Sequence, residues 1–412
     1  MSATLHDLPR FGVIAAALQR TTEQLAHELA NPGASAPDWN PFEWDVARAV
    51  SSMQGITVLL AHRLRWRGPD GWQDFLEAQR RLALQRDVRI ASLIERLGAA
   101  LRSAGIGAVG LKGTALRRLG LYRPGERPMA DIDLLVRPED SARATRALLS
   151  LDYLDAYVTQ RHRVFEPPDA RATASPGEHP DNPLKIELHE TIGECLPVRR
   201  VDITDGLFPA EPGAGLHPYR DNAELLRHLL LHAASNMRAH ALRQVQLHDI
   251  ALLAPRLDAA SWDKLLSTPE VRGGRWWMYP PLELALRYYP DRDAVPLADF
   301  ARACPRVLRM AARHETLTRV SWSNLRIHAF PGIYWSRSPL DAMRYARQRF
   351  IPDRTAIAEL DVKVAAQPAL YQVPWYALGH GQRILRWMIS RPPRVQTIVS
   401  LRGAIDEAGS RR

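Results

Sequence analysis

The run Ala130-Asp131-Ile132-Asp133-Leu134-Leu135-Val136 constrains this chain more than any other segment. Strand side chains alternate between two faces. An extended backbone here therefore turns Ile132 and Leu134 into a core and projects Asp131 and Asp133 together on the opposite side. Ionised carboxylates held that close repel unless cations lie among them. A second run, Lys185-Ile186-Glu187-Leu188-His189, presents Glu187 in the same way between Ile186 and Leu188. Clustered carboxylates of this kind suit hard divalent cations. Ahead of the pair stands Leu111-Lys112-Gly113-Thr114, where a cation, a glycine and a hydroxyl follow an apolar approach and suit polyphosphate oxygens.

The flanking patterns place these runs in an α/β unit between helical regions. From about Leu8 to Arg102 apolar residues recur at spacings of three and four, which predicts helices interrupted at Asn31-Pro32-Gly33 and Asn40-Pro41. The pattern changes at Gly105-Ile106-Gly107. Strands are predicted over 108–111, 130–136, 153–158, 163–166 and 184–191, with helices over 114–121 and 138–151. Residues 167–183, rich in Pro, Gly, Asp and Ser, read as an exposed loop. Helical periodicity returns over 222–257 and 282–317, with Trp276-Trp277 and Pro280-Pro281 marking a packed bend between them. The expected organisation is a helical region 1–103, a core 104–205, a helical domain 206–330 and a basic, aromatic extension 331–412.

With 412 residues, 46% of them apolar and 24% charged, the chain has the composition of a folded protein of more than one domain. Two cysteines, Cys195 and Cys304, exclude a four-thiolate zinc site and favour a reducing, cytoplasmic setting. No run approaches the roughly 18 apolar residues of a membrane span. The opening residues lack a basic region followed by an apolar one. The net charge of +10 comes almost wholly from arginine: the four lysines are Lys112, Lys185, Lys264 and Lys363, and two of them fall in the segments above. The surplus is concentrated beyond Arg337, where Tyr345, Tyr371, Trp375, Tyr376 and Trp387 lie among arginines. Within it, residues 382–389 carry an apolar stripe and a basic side. That pattern is read first as a packed helix with snorkelling arginines, and otherwise as peripheral contact with an anionic membrane or a nucleic-acid backbone.

Other constellations carry less. His189-Glu190-Thr191-Ile192-Gly193 begins like a zinc-protease helix but has Gly193 where the second histidine belongs. His228 and His232, one helical turn apart, and His240 and His248 after them read mainly as packing histidines. His189 and His232 remain candidates to line a cleft. Gly379-His380-Gly381 is not followed by a phosphate-loop pattern.

Nucleotidyl transfer requires neutralisation of triphosphate charge and alignment of an attacking oxygen, and clustered carboxylates holding two magnesium ions accomplish both. The segments Gly110-Leu111-Lys112-Gly113, Arg127-Pro128-Met129-Ala130-Asp131-Ile132-Asp133 and Glu187-Leu188-His189, with the later Leu229-Leu230-Leu231-His232 and Leu247-His248-Asp249, resemble the largely uncharacterised bacterial nucleotidyltransferase family of the DNA polymerase β-like superfamily. The resemblance spans roughly residues 90 to 260.

It implies an α+β fold, a small mixed β-sheet core with helical N- and C-terminal regions. It also implies Mg²⁺-dependent transfer of a nucleoside monophosphate from an NTP, with pyrophosphate released. Asp131 and Asp133 would hold both of two Mg²⁺ ions and Glu187 would complete one site. Lys112, Gly113, Thr114 and Arg127 would bind the nucleotide, although Lys112 or Arg127 could instead pair with the acids. The interval from Thr114 to Asp131 is longer than the superfamily pattern, and the third acid is Glu where Asp is common. The acceptor, whether small molecule, protein or RNA, is not indicated. Competing readings are a non-catalytic nucleotide-binding regulator and a toxin-like transferase acting on tRNA.

Overall fold

The computed structural model describes residues 8–170, 177–270, 273–289, 294–352, 357, 379–390 and 392–409. The fold is α+β, 56% helical, and built around a six-stranded mixed sheet. Four helices precede the sheet: α1 (Phe11–Ala30), α2 (Pro41–Met53), α3 (Thr57–Arg63) and α4 (Asp70–Ser103). The break before α2 is a capping box. Asn40 accepts the Glu43 N–H, Glu43 accepts the Asn40 N–H, and Pro41 occupies the first turn, where its missing donor costs nothing. Leu18, Leu25, Val50 and Trp72 close a core that also takes Ile398, Leu401 and Ala404 from the last helix, Val395–Gly409.

The sheet comprises β1 (Gly107–Gly110), β2 (Asp131–Val136), β3 (Leu154–Val158), β4 (Arg163–Glu166), β5 (Lys185–His189) and a last strand, Gly215–His217. The helices α5 (Gly113–Arg118) and α6 (Ser141–Leu149) follow β1 and β2. The spatial order is β3-β4-β5-β2-β1 and then Gly215–His217. β2 runs parallel to β5 and Gly215–His217 parallel to β1; the remaining pairs are antiparallel. Alternation decides the layers. Ile132, Leu134, Val136, Ile186 and Leu188 pack against Ile90, Leu93 and Leu97 of α4 and Leu148 of α6. Val109 and Leu135 face the other way, into the core of the C-terminal helices. Asp131, Asp133, Lys185, Glu187 and His189 share that second face.

Three short strands escape sequence patterning: the hairpin Gly193–Cys195 with Arg200–Asp202, and Gly215–His217. Segments of three residues are too short to show a period. The helix expected over 222–257 is α7 (Asn222–Arg238) and α8 (Gln244–Leu253), separated where His240 adopts φ 54°. The stretch 282–317 is likewise divided, into Tyr279–Tyr288, Leu297–Ala303 and Arg306–Ala312. The chain turns over residues 275–278, just ahead of Pro280 and Pro281. They occupy the first turn of the helix Tyr279–Tyr288, where proline is tolerated, while Trp276 and Trp277 are buried as expected. The end of the 167–183 loop is tied down rather than loose: Arg86 donates to the carbonyls of Met129, Ala130, Asn182 and Pro183.

In the tail, Trp335 and Tyr345 are buried. The helix His380–Ser390 buries Ile384 and exposes Leu385, Met388 and Ile389. Lys363, Tyr371, Trp375, Tyr376 and residues 171–176 lie outside the described residues. Cys195 and Cys304 are free thiols. Among the described residues no helix is long and apolar enough to cross a membrane.

Candidate active site

The second face of the sheet and the helices α7 and α8 enclose a cleft of about 370 Å³. Register brings the acids together. Asp133 pairs with Glu187 across β2 and β5, and Asp131 stands two residues earlier on the same face. Lys112, Gly113, Arg127, Asp131, Asp133, Glu187 and His189 line this cleft, as do His228 and His232 from α7. Thr114 does not. It is buried with its Oγ1 unpartnered, and its methyl group packs so close to Gly110 that a Cβ there would meet it at 2.7 Å.

Lys112 is the pivot of the site. Its Nζ lies 3.0 Å from Asp133 Oδ1, and its backbone takes φ 43°, ψ −110°, a conformation that favours glycine. The turn is held by the Thr114 N–H donating to the Leu111 carbonyl and by the Lys112 N–H donating to Tyr219 Oη at 3.0 Å. Tyr219 Oη in turn meets His228 Nδ1 at 2.7 Å. Burial holds that imidazole far below its usual pKa. Burial disfavours the Lys112 ammonium, but the Asp133, Asp131 and Glu187 carboxylates outweigh it and raise its pKa. Gly113 is required by packing: a Cβ would come within 2.6 Å of Arg127 Nη1 and 2.9 Å of Met129 Sδ.

The three acids differ in environment. Asp133, 5% exposed, accepts from Lys112 and meets His189 Nε2 at 3.0 Å. Burial pushes its pKa up, yet Lys112 and His189 overcome that and hold it well below the carboxylate range. Asp131 has no hydrogen bond or ion pair among the described residues. Burial, then Asp133 and Glu187, push its carboxyl up to about 7. Glu187 Oε2 lies 3.5 Å from His162 Nδ1 and 3.6 Å from His189 Nε2. Among the described residues, Asp133 alone of the three carboxylates makes close hydrogen bonds, to Lys112 and His189.

Arg127, expected to contact phosphate or to form an ion pair, lines the cleft and is paired with Asp249. Its Nε and Nη2 donate to Asp249 Oδ1 and Oδ2, both at 2.8 Å, and Tyr122 Oη donates to Oδ1 at 2.5 Å. The long interval between Thr114 and Asp131 therefore has a use: it carries Tyr122 and Arg127 to Asp249 on α8. That leaves one face of Arg127 toward the cleft.

Two residues had no signal in the sequence. His162 precedes β4, and the register of Arg163 with Leu188 sets it beside His189, with ring centroids 5.0 Å apart. Arg243, in the break before α8, donates from Nε to the Met53 carbonyl; its terminal nitrogens have no partner among the described residues. Arg243 and Asp131 also line an adjoining cavity of about 320 Å³, together with Gln79, Arg86, Glu178 and Lys185.

The donor set fits divalent cations. Oxygen ligands are clustered, and Asp131 has no hydrogen bond or ion pair among the described residues. No curated protein and no solved structure matches the chain. A family model described as an uncharacterised nucleotidyltransferase matches residues 40–288, more than half the chain and the whole span from α2 through the sheet and both cleft-forming helices. The chain belongs to this nucleotidyltransferase family.

Proposed function

We propose that this protein transfers a nucleoside monophosphate from an NTP to an acceptor, releasing pyrophosphate. The observation that carries the reading is the cluster of Asp131, Asp133 and Glu187 beside the strained Lys112 turn, in which Asp131 has no hydrogen bond or ion pair among the described residues. Asp131 and Asp133 would hold two Mg²⁺ ions jointly and Glu187 one of them. Bound Mg²⁺ supplies charge neutralisation of the triphosphate and orientation of the attacking oxygen. Lys112, released from Asp133, binds a phosphate oxygen as a point charge, and Arg243 offers a second, preset cation. An acceptor oxygen attacks the α-phosphorus and the bond to the pyrophosphate oxygen breaks. The acceptor proton passes to Glu187.

The two cavities that meet at Asp131 and Arg243 suit an NTP and an acceptor on opposite sides of the acids. The reading includes membership of the polymerase β-like superfamily, a bacterial source, a core near residues 104–205 between helical regions, and a cytoplasmic location. For the helix His380–Ser390 packing with snorkelling arginines is the first reading, and peripheral contact with an anionic membrane or nucleic acid the alternative.

The test is incubation of the protein with α-labelled and γ-labelled NTPs, Mg²⁺ and a cell extract. Label from the α-phosphate, and not from the γ-phosphate, is expected in an acceptor, and the fraction that carries it identifies RNA, protein or small molecule. Entry into tRNA would select the toxin-like reading. NTP binding without any transfer would select the regulator.

A further inference from the structure

We propose that His162, Glu187 and His189 form a nitrogen-rich metal site that takes a first-row transition dication, Mn²⁺, Co²⁺ or Zn²⁺, in preference to Mg²⁺. The ligand atoms lie within 4.8 Å of one another. Glu187 Oε2 stands 3.5 Å from His162 Nδ1 and 3.6 Å from His189 Nε2. Both separations are too long for good hydrogen bonds. They match instead the edge of a tetrahedral site, since ligands about 2.1 Å from a common ion lie about 3.4 Å apart.

His162 also lacks a better use, whereas His189 Nε2 would exchange its 3.0 Å contact with Asp133 for the ion. His162 Nδ1 is buried with no hydrogen-bond partner among the described residues, a costly state for an imidazole nitrogen that a metal would relieve. His189 Nε2 faces both Glu187 and Asp133, so an ion there touches the same carboxylate cluster that the transfer reaction uses. The backbone presets the three side chains. His162 is carried by the β3–β4 hairpin, and Glu187 and His189 point the same way from β5, paired to β4 through Val164 and Arg163. Mg²⁺ strongly prefers oxygen ligands and retains its waters, whereas imidazole suits the later first-row ions. Two imidazoles beside one carboxylate therefore discriminate between the classes.

The inference rests on the transferase reading, because Glu187 belongs to both, and the test separates them. Full-length protein stripped of metal is titrated with Co²⁺. The visible ligand-field bands report nitrogen ligation and coordination number without any turnover. One Co²⁺ per chain is expected, displaced by equimolar Zn²⁺ but not by a large excess of Mg²⁺. His162→Ala is expected to weaken Co²⁺ more than about a hundredfold, beyond the loss typical of outer-sphere partners. His162→Gln serves as the folding control, with an unchanged melting temperature and the same loss of the bands. Equal competition by Mg²⁺, or unchanged bands in both His162 variants, would overturn the proposal. In that case Mg²⁺-dependent NTP binding by the His162 variants still supports the transferase; its absence from the unaltered protein would strike the transferase reading instead.

Discussion

The Arg127–Asp249 pair and the Asp131, Asp133, Glu187 cluster border the same cleft and use the same materials, buried carboxylates beside a cation, yet they are completed to different degrees. Asp249 is 1% exposed and receives two bonds from one guanidinium and a third from Tyr122. Its charge is matched and its geometry is the planar fork that arginine provides. Asp131, by contrast, has no hydrogen bond or ion pair among the described residues, and its carboxyl is pushed up to about 7 by burial and by its acidic neighbours. The contrast teaches how to tell a latch from a binding site. The latch is complete within the protein and fastens the 115–130 connection to α8; in the proposed function the acid cluster is completed by metal and nucleotide.

The largest difference between the two should appear in chemistry. Asp133→Asn is expected to cut transfer by at least about a thousandfold, the scale on which preorganised electrostatic groups act, with circular dichroism unchanged. Transfer that survives within tenfold in that variant would remove the acids from the reaction. Asp249→Ala should show the opposite bias. Leaving Arg127 buried and unpaired costs about 3–5 kcal/mol, read as a lowered urea midpoint, whereas Arg127→Met combined with Asp249→Leu should recover most of it. If the single variant loses less than about 1 kcal/mol, the pair is not the latch described.

The third contrast is in pH. In the unfolded chain Asp131 titrates near its ordinary 3.8, and in the fold near about 7. Between these values the folded state holds the extra proton. Asp131 therefore makes the metal-free protein lose stability as pH rises from about 4 to about 7, and the penalty is fully present above that. Asp133, held low, contributes in the reverse sense, with stability present above the carboxylate range and lost in acid. Asp131→Asn isolates the first contribution. Its stability advantage over the unaltered protein should be near zero at pH 4 and grow to as much as about 4 kcal/mol at pH 8, measured in chelator. An advantage that shrinks with rising pH contradicts the assignment.

Smallest is the strain in the turn. Lys112→Ala and Lys112→Gly both remove the ion pair with Asp133, but only glycine adopts φ 43° freely. Lys112→Gly should be the more stable of the two by about 1 kcal/mol in denaturant melts. Equal stabilities would show that the turn relaxes.

Much of this architecture is legible in the sequence, for a reason that also sets the limit. Asp131, Asp133 and Glu187 can be read because each alternates with residues such as Ile132 and Ile186 that must be buried, so period two assigns their face without knowledge of the partner strand. Lys112 and Gly113 sit at an abrupt change from strand to helix pattern. His162 has no such marker. Its position depends on the register of a hairpin that slips between Asp155 and Tyr157, and short irregular pairings leave no period. Arg243 was invisible because α7 and α8 look like one helix until the backbone breaks at His240. The partner of Arg127 lies 122 residues away, and no local pattern selects Asp249 among the remaining acids. Thr114 shows the converse: its type and spacing suggested a ligand contact, and the tight packing on Gly110 buries it.

The most direct measurement is isothermal titration of NTP into the metal-stripped protein, with and without Mg²⁺, and into Asp133→Asn. The account predicts NTP binding that requires Mg²⁺ and is lost in Asp133→Asn. Binding of equal strength without the metal, or retained in full by the variant, would contradict it.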